Sequence, residues 1–204
     1  MRNRNIAEYQ KPCTKKSKEF YALLIKEKVQ LPYIAYKLQR DFNLTNDQLR
    51  QIFQLAHSVT LESYVKAFQY KVLNSVLYTN TELYKMGFRT KFNDLCSFYK
   101  SQSESLNHLF IHCPYSKQFW NNVEIYWWCV SSKMIGLSLQ NVLVGIIAEN
   151  TDPSHLLLNY FIMIGKLFLW NCRNNQILPN IHGFRTKIAA NNETEKIMSR
   201  KDFF

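Results

Sequence analysis

The chain has 204 residues, 47% of them hydrophobic and 15% aromatic, and its 26 Lys and Arg against 15 Asp and Glu give a net charge of +11. That much apolar side chain can bury a core, which excludes a disordered chain, and five Gly with five Pro are too few for a sheet of short strands joined by many turns. The five cysteines, Cys13, Cys96, Cys113, Cys129 and Cys172, are odd in number and scattered, so a secreted disulfide framework is excluded as well.

Residues 1–17 form a basic segment without the apolar stretch of a signal peptide, which predicts an intracellular protein, nuclear or cytoplasmic, rather than a secreted one. Beyond it lie a helical region at 18–128 and a C-terminal helical region at 129–204 that is expected to pack on the same core. The basic excess falls mainly outside residues 95–120. Such a balance attracts phosphate polymers by counterion release, or it solvates helix faces.

Phe20, Leu23, Leu24 and Val29 fall close to an i, i+3, i+4 stripe and predict an amphipathic helix over 18–29. Pro32 suits the first turn of a second helix through Phe42, where its missing amide costs nothing. Thr45 followed by Gln48 is a capping-box pattern, so a third helix starts near Asn46 and turns Leu49, Ile52 and Phe53 inward. Residues 60–78 carry the strongest helical periodicity, through Leu61, Tyr64, Val65, Phe68, Val72, Leu73 and Val76. Thr79 and Glu82 repeat the capping box ahead of a short helix, and Gly87 suits the left-handed position that ends one. The outer face of this stretch is basic at Lys66, Lys71, Lys85, Arg89 and Lys91, either a nucleic-acid track or a solvated surface.

Residues 95–120 are the centre of the chemistry. Cys96, Tyr99, His108 and Cys113 stand on a C-x2-[C]-x8-H-x4-C frame with Tyr99 in place of a thiol. Two thiols and an imidazole suit zinc, whose structural sites use four such ligands. The Tyr99 phenol stays protonated at neutral pH, so the fourth donor would come from elsewhere, and His112, at i+4 from His108, is the candidate. On the other reading His108 is a half-buried polar residue and the cysteines are small core residues. His108 and Cys113 are rotated by roughly 500° on an ideal helix and share no face. The helix must therefore end near Ile111 or His112, and Pro114 frees Cys113 to swing back by pushing it out of the α region. Leu106, Leu109, Phe110 and Cys113 bury one side of this helix with or without a metal.

Pro114 opens a helix whose Phe119, Trp120, Val123 and Trp127 belong to the core. Residues 131–150 are a looser connection in which LQNVLVGII is either a short strand or a turn of helix. Residues 155–170 are apolar but interrupted by Asn159 and Lys166 and too short for a membrane span, so they read as part of a buried helix over about 154–173. A last helix follows near 182–199. The fold class is mainly α: a compact helical domain with a central zinc-knuckle-like turn and helix, and room for one short hairpin or strand pair.

The run CSFYKSQSESLNHLFIHCPYSKQFW resembles the reverse-transcriptase zinc-binding region (zf-RVT) found near the C-terminus of the polyprotein of LINE-type, non-LTR retrotransposons. That pattern is carried by Cys96, Glu104, Ser105, His108, Leu109, Phe110, Cys113, Phe119 and Trp120, and departs at Tyr99. Residues 68–88 and 160–184 are similar to the flanking helical segments of those polyproteins. The resemblance implies zinc on Cys96, His108 and Cys113, RNA or DNA as partner, and association with the reverse transcriptase portion of a retrotransposon.

Catalysis is argued against by what is missing. Asp41, Asp47, Asp94, Asp152 and Asp202 include no adjacent pair of the kind that holds polymerase metals, and the chain has no glycine-rich phosphate loop, G-x-S-x-G elbow or H-E-x-x-H helix. The expected function is a non-catalytic, retrotransposon-derived module that binds nucleic acid. The competing expectation is a structural or protein-interaction remnant with neither metal nor nucleic-acid activity. Oligomeric state is open.

Overall fold

Thr45 and Gln48 close the capping box that their spacing predicts: Thr45 Oγ1 accepts from the Gln48 amide at 3.2 Å and Gln48 Oε1 from the Thr45 amide at 2.9 Å. A computed structural model of the chain describes residues 33–88, 93–147 and 153–201. The basic segment 1–17, the helix expected over 18–29, Pro32, Arg89 and Lys91 lie outside the described residues.

The fold is mainly α. In order come α1 (Tyr33–Phe42), α2 (Asn46–Val59), α3 (Ser63–Leu73), α4 (Asn80–Lys85), a π-helical turn (His108–His112), α5 (Pro114–Ser131), α6 (Leu139–Val144), α7 (Pro153–Asn174) and α8 (Ile181–Lys201). The β pairing among the described residues is one antiparallel bridge, Leu95 to Ser103.

α7 is the axis of the body. It packs against α2, α3, α5, α6, α8 and the π turn, and from Leu158 to Leu167 its side chains are buried on every side, as a helix apolar all round must be. Residues on both sides of position 128 enter one hydrophobic cluster. Gly165 lets α7 approach α5, since a Cβ there would lie 2.6 Å from the Trp120 ring. Within this core Lys166 is fully buried, its Nζ donating to Gln69 Oε1 at 2.5 Å and to the Leu143 carbonyl at 3.1 Å. Burial pushes its pKa down to about 7. No helix among the described residues is long and apolar enough to cross a membrane.

The open choice at LQNVLVGII falls to helix. Ser138 forms a capping box with Asn141, and Gly145, at φ 93°, ends the turn where a side chain would be strained.

Two local expectations are overturned. The helix expected over 60–78 covers only Ser63–Leu73: Leu61 and Tyr64 are exposed, Ser75 takes a left-handed φ of 54°, and Val76 is half exposed. The Asn74 side chain donates to the Tyr70 carbonyl and the Val76 amide to the Lys71 carbonyl, so the orphan groups of the last turn are satisfied and the helix stops. The capping box expected at Thr79 and Glu82 does not form, and Glu82 pairs instead with Lys85 at 3.0 Å. The acid at the start of α4 is Glu104, whose Oε1 accepts from the Asn80 amide at 3.2 Å while its carbonyl accepts from the Thr81 amide at 3.3 Å.

Candidate metal centre

Cys96 sits on a tight turn closed by local backbone bonds. Its amide donates to the Gln102 carbonyl at 2.7 Å, its carbonyl accepts from the Lys100 amide at 2.9 Å, and Lys100 makes the reversal at a left-handed φ of 55°. The Glu104 amide continues the pairing to the Asp94 carbonyl at 2.7 Å.

Glu104 anchors this turn to the body. Its carboxylate is wholly buried and accepts from the Ser97 amide at 2.7 Å and from Arg173 Nε at 3.0 Å. Arg173 in turn donates to Asn80 Oδ1 at 2.8 Å, and Asn80 Nδ2 donates to the Leu95 carbonyl at 2.7 Å. One buried ion pair thereby ties the turn, the start of α4 and the end of α7 together.

The other two residues are brought round by a widened helical turn. The Cys113 amide donates to the His108 carbonyl at 2.8 Å, five residues back rather than four, and Cys113 itself is extended at φ −60°, ψ 131° because Pro114 follows. The wider turn brings His108 and Cys113, which an α-helix would separate, to the same side. It also strands two carbonyls. Leu109 loses the Cys113 amide, and Phe110 faces a proline with no N–H. Ser116 Oγ donates to the first at 2.5 Å and Trp120 Nε1 to the second at 2.7 Å, so α5 supplies what the backbone cannot.

The result is a convergent trio. The ligand atoms of Cys96, His108 and Cys113 all lie within 4.8 Å of one another, all three residues are buried, and the two sulfurs are 3.9 Å apart. Two thiolates bound to tetrahedral zinc at about 2.3 Å are about 3.8 Å apart. His108 Nε2 is buried without a hydrogen-bond partner, an atom left wanting in a position where a metal would satisfy it. The residues therefore fit the ion.

The two thiols are not equivalent. Cys113 is pushed down chiefly by its hydrogen bond with Cys96, helped by the amides of Ser116 and Tyr115 at the start of α5 and by His108, against its burial. Cys96 is pushed up by that same bond and by burial, while the amides of Phe98 and Tyr99 oppose.

Tyr99 takes no part as a ligand atom of the trio. Its hydroxyl donates to Gln102 Oε1 at 3.0 Å and its ring lies 5.7 Å from the His108 ring, covering the imidazole. Partial desolvation, with the nearby thiols, holds its phenol above the ordinary value. His112 is exposed at the end of the π turn and is not in the trio. Lys71 and Lys85 are exposed and Lys66 half-buried. Lys66 and Lys71 diverge by about 140° around α3 and do not meet on one face.

Asn80, Arg173 and Ser116 were not singled out by the sequence. The aromatic match at Trp120 was legible, its hydrogen bond to Phe110 was not.

A helical domain holding a buried Cys2His cradle is the class these features define. Residues 33–120 match the family model described as zinc-binding in reverse transcriptase, zf-RVT. That span contains Cys96, His108 and Cys113 and ends on Trp120, whereas Arg173 lies beyond it. Searches among curated proteins and among solved structures found no match.

Proposed function

We propose that the chain is a zinc-held, non-catalytic module of a LINE-type, non-LTR retrotransposon that binds RNA or DNA beside a polymerase, working inside the cell. The observation that carries this reading is the convergence of Cys96, His108 and Cys113 at one buried point inside the segment matched by the reverse-transcriptase zinc-binding model. When bound, zinc would cross-link the turn at Cys96 to the start of α5. The chain's own residues do the rest: Glu104 and Arg173 set the turn, and exposed Lys71 and Lys85 offer charge to phosphate.

Metal analysis and filter binding across a salt series test the two halves separately. One zinc per chain, lost in Cys96→Ser, is expected, together with affinity for RNA or single-stranded DNA that falls steeply with salt. Folded protein that carries no zinc, or no binding even at low salt, rejects the corresponding half. A second reading, a remnant that keeps the fold without metal, is favoured by Tyr99 in place of a thiol and by the Glu104–Arg173 pair, which anchors the turn independently of any ion.

A further inference from the structure

α1, α2 and α3 enclose an open groove of about 560 Å³, none of whose lining residues belongs to the metal centre. Its floor is apolar, from Ile34, Leu49 and Phe53, and its rim is polar, from Asn46, Arg50 and Gln54. Tyr70 stands at the side, 61% exposed. We propose that this groove seats one base of a single-stranded nucleic acid.

The lining matches the parts of a nucleotide. A base is flat and apolar on its faces, which suits Phe53 and the Tyr70 ring, and polar along its edges, which suits carboxamides that donate and accept. Asn46 Oδ1 already accepts from Gln39 Nε2 at 2.6 Å, which leaves its own N–H groups to donate. Among the described residues Arg50 is held by an exposed pair with Asp47 at 3.2 Å, a contact that solvent and salt make weak and a phosphate readily replaces.

Charge selects a strand over an apolar partner helix. A protein helix would ask for an unbroken apolar stripe, which the amide and guanidinium rim does not offer. The chain carries a net charge of +11, and Arg50 places a cation on the rim of the groove.

The inference rests on the nucleic-acid reading above, and the test separates the two. The full chain, loaded with zinc, is mixed with an oligouridylate carrying 5-iodouridine, irradiated and mapped. Crosslinks at Tyr70 or Phe53 are expected, and Tyr70→Ala is expected to weaken binding roughly tenfold or more with the salt dependence unchanged, because a stacking contact releases no counterions. Exposed Tyr70 can be truncated without opening the core, and Gln54→Ala, at another exposed position, provides an independent variant. Wild-type binding with crosslinks elsewhere and both variants unaffected overturns the groove, and is also the outcome if a protein partner or another segment of the chain fills it. Failure of the unaltered chain to bind the strand at low salt overturns the nucleic-acid reading and this inference together.

Discussion

Arg173 donates through Nε to the buried Glu104 carboxylate at 3.0 Å across 69 residues of sequence, so the last turns of α7 hold the turn that carries Cys96. Glu104 is wholly buried and Arg173 nearly so, at 12% side-chain exposure. Removing one partner leaves the other's charge uncompensated in the interior, which costs roughly 3–5 kcal/mol. Arg173→Met is therefore expected to lower the unfolding free energy of metal-free protein by that amount, read as a fall in the urea midpoint. The same variant should bind zinc more weakly, since the turn must then be ordered at the expense of binding. A midpoint unchanged from wild type would mean that the pair contributes nothing net to the fold.

How far the sequence foretold this follows from the range over which each signal acts. The Thr45 and Gln48 capping box was legible because both partners lie within one turn and nothing distant competes. The same pattern at Thr79 and Glu82 failed because the Thr79 amide already donates to the Leu77 carbonyl at 3.0 Å and the Glu82 carboxylate turns to Lys85. Periodicity over 60–78 overran the true helix because Leu61 and Val76 have the right spacing but face solvent. The release of Cys113 by Pro114 was readable, being a one-residue steric effect. The π turn that brings His108 round was not, since it depends on Ser116 and Trp120 satisfying carbonyls that no spacing rule marks.

Tyr99 occupies the position at which a fourth thiol would complete the zinc set. Tyr99→Cys places a thiol three residues after Cys96 on the same tight turn, and a fourth protein ligand is what structural zinc sites ordinarily have. Zinc affinity is expected to tighten at least about tenfold, read by competition with a chromophoric chelator. Cobalt substitution offers a second readout, because thiolate-to-metal charge-transfer absorption rises with each added thiolate. An unchanged affinity and spectrum would show that the backbone at this position does not bring the thiol within reach.

Gly165 faces the Trp120 indole so closely that a Cβ would come within 2.6 Å of the ring. Alanine favours a helix interior over glycine by about 1 kcal/mol, so propensity alone predicts stabilisation. The indole cannot yield easily, since its Nε1 is tied to the Phe110 carbonyl at 2.7 Å and its ring lies edge-on to Phe119. Gly165→Ala is thus expected to destabilise by roughly 1–3 kcal/mol and to loosen the π turn with it. Faster hydrogen exchange at the Cys113 amide would separate this from a general loss of packing.

Lys166 sets the pH dependence of the core. Its pKa is about 7 in the folded chain against an ordinary value of 10.5 in an unfolded one. Between those values the unfolded chain holds more protons, so this residue makes stability climb as pH rises from about 7 towards 10.5, by up to roughly 1.4 kcal/mol per pH unit. Below 7 both states are protonated and its contribution is level at its most unfavourable. Lys166→Met removes the titration, although it also takes a donor from Gln69 Oε1 and the Leu143 carbonyl. The sign of the difference at any single pH therefore depends on those lost bonds, whereas its trend does not. The stability of the variant minus that of wild type should be largest at pH 7 and below and shrink steadily toward pH 10. A difference independent of pH would show that the lysine keeps its charge inside the fold.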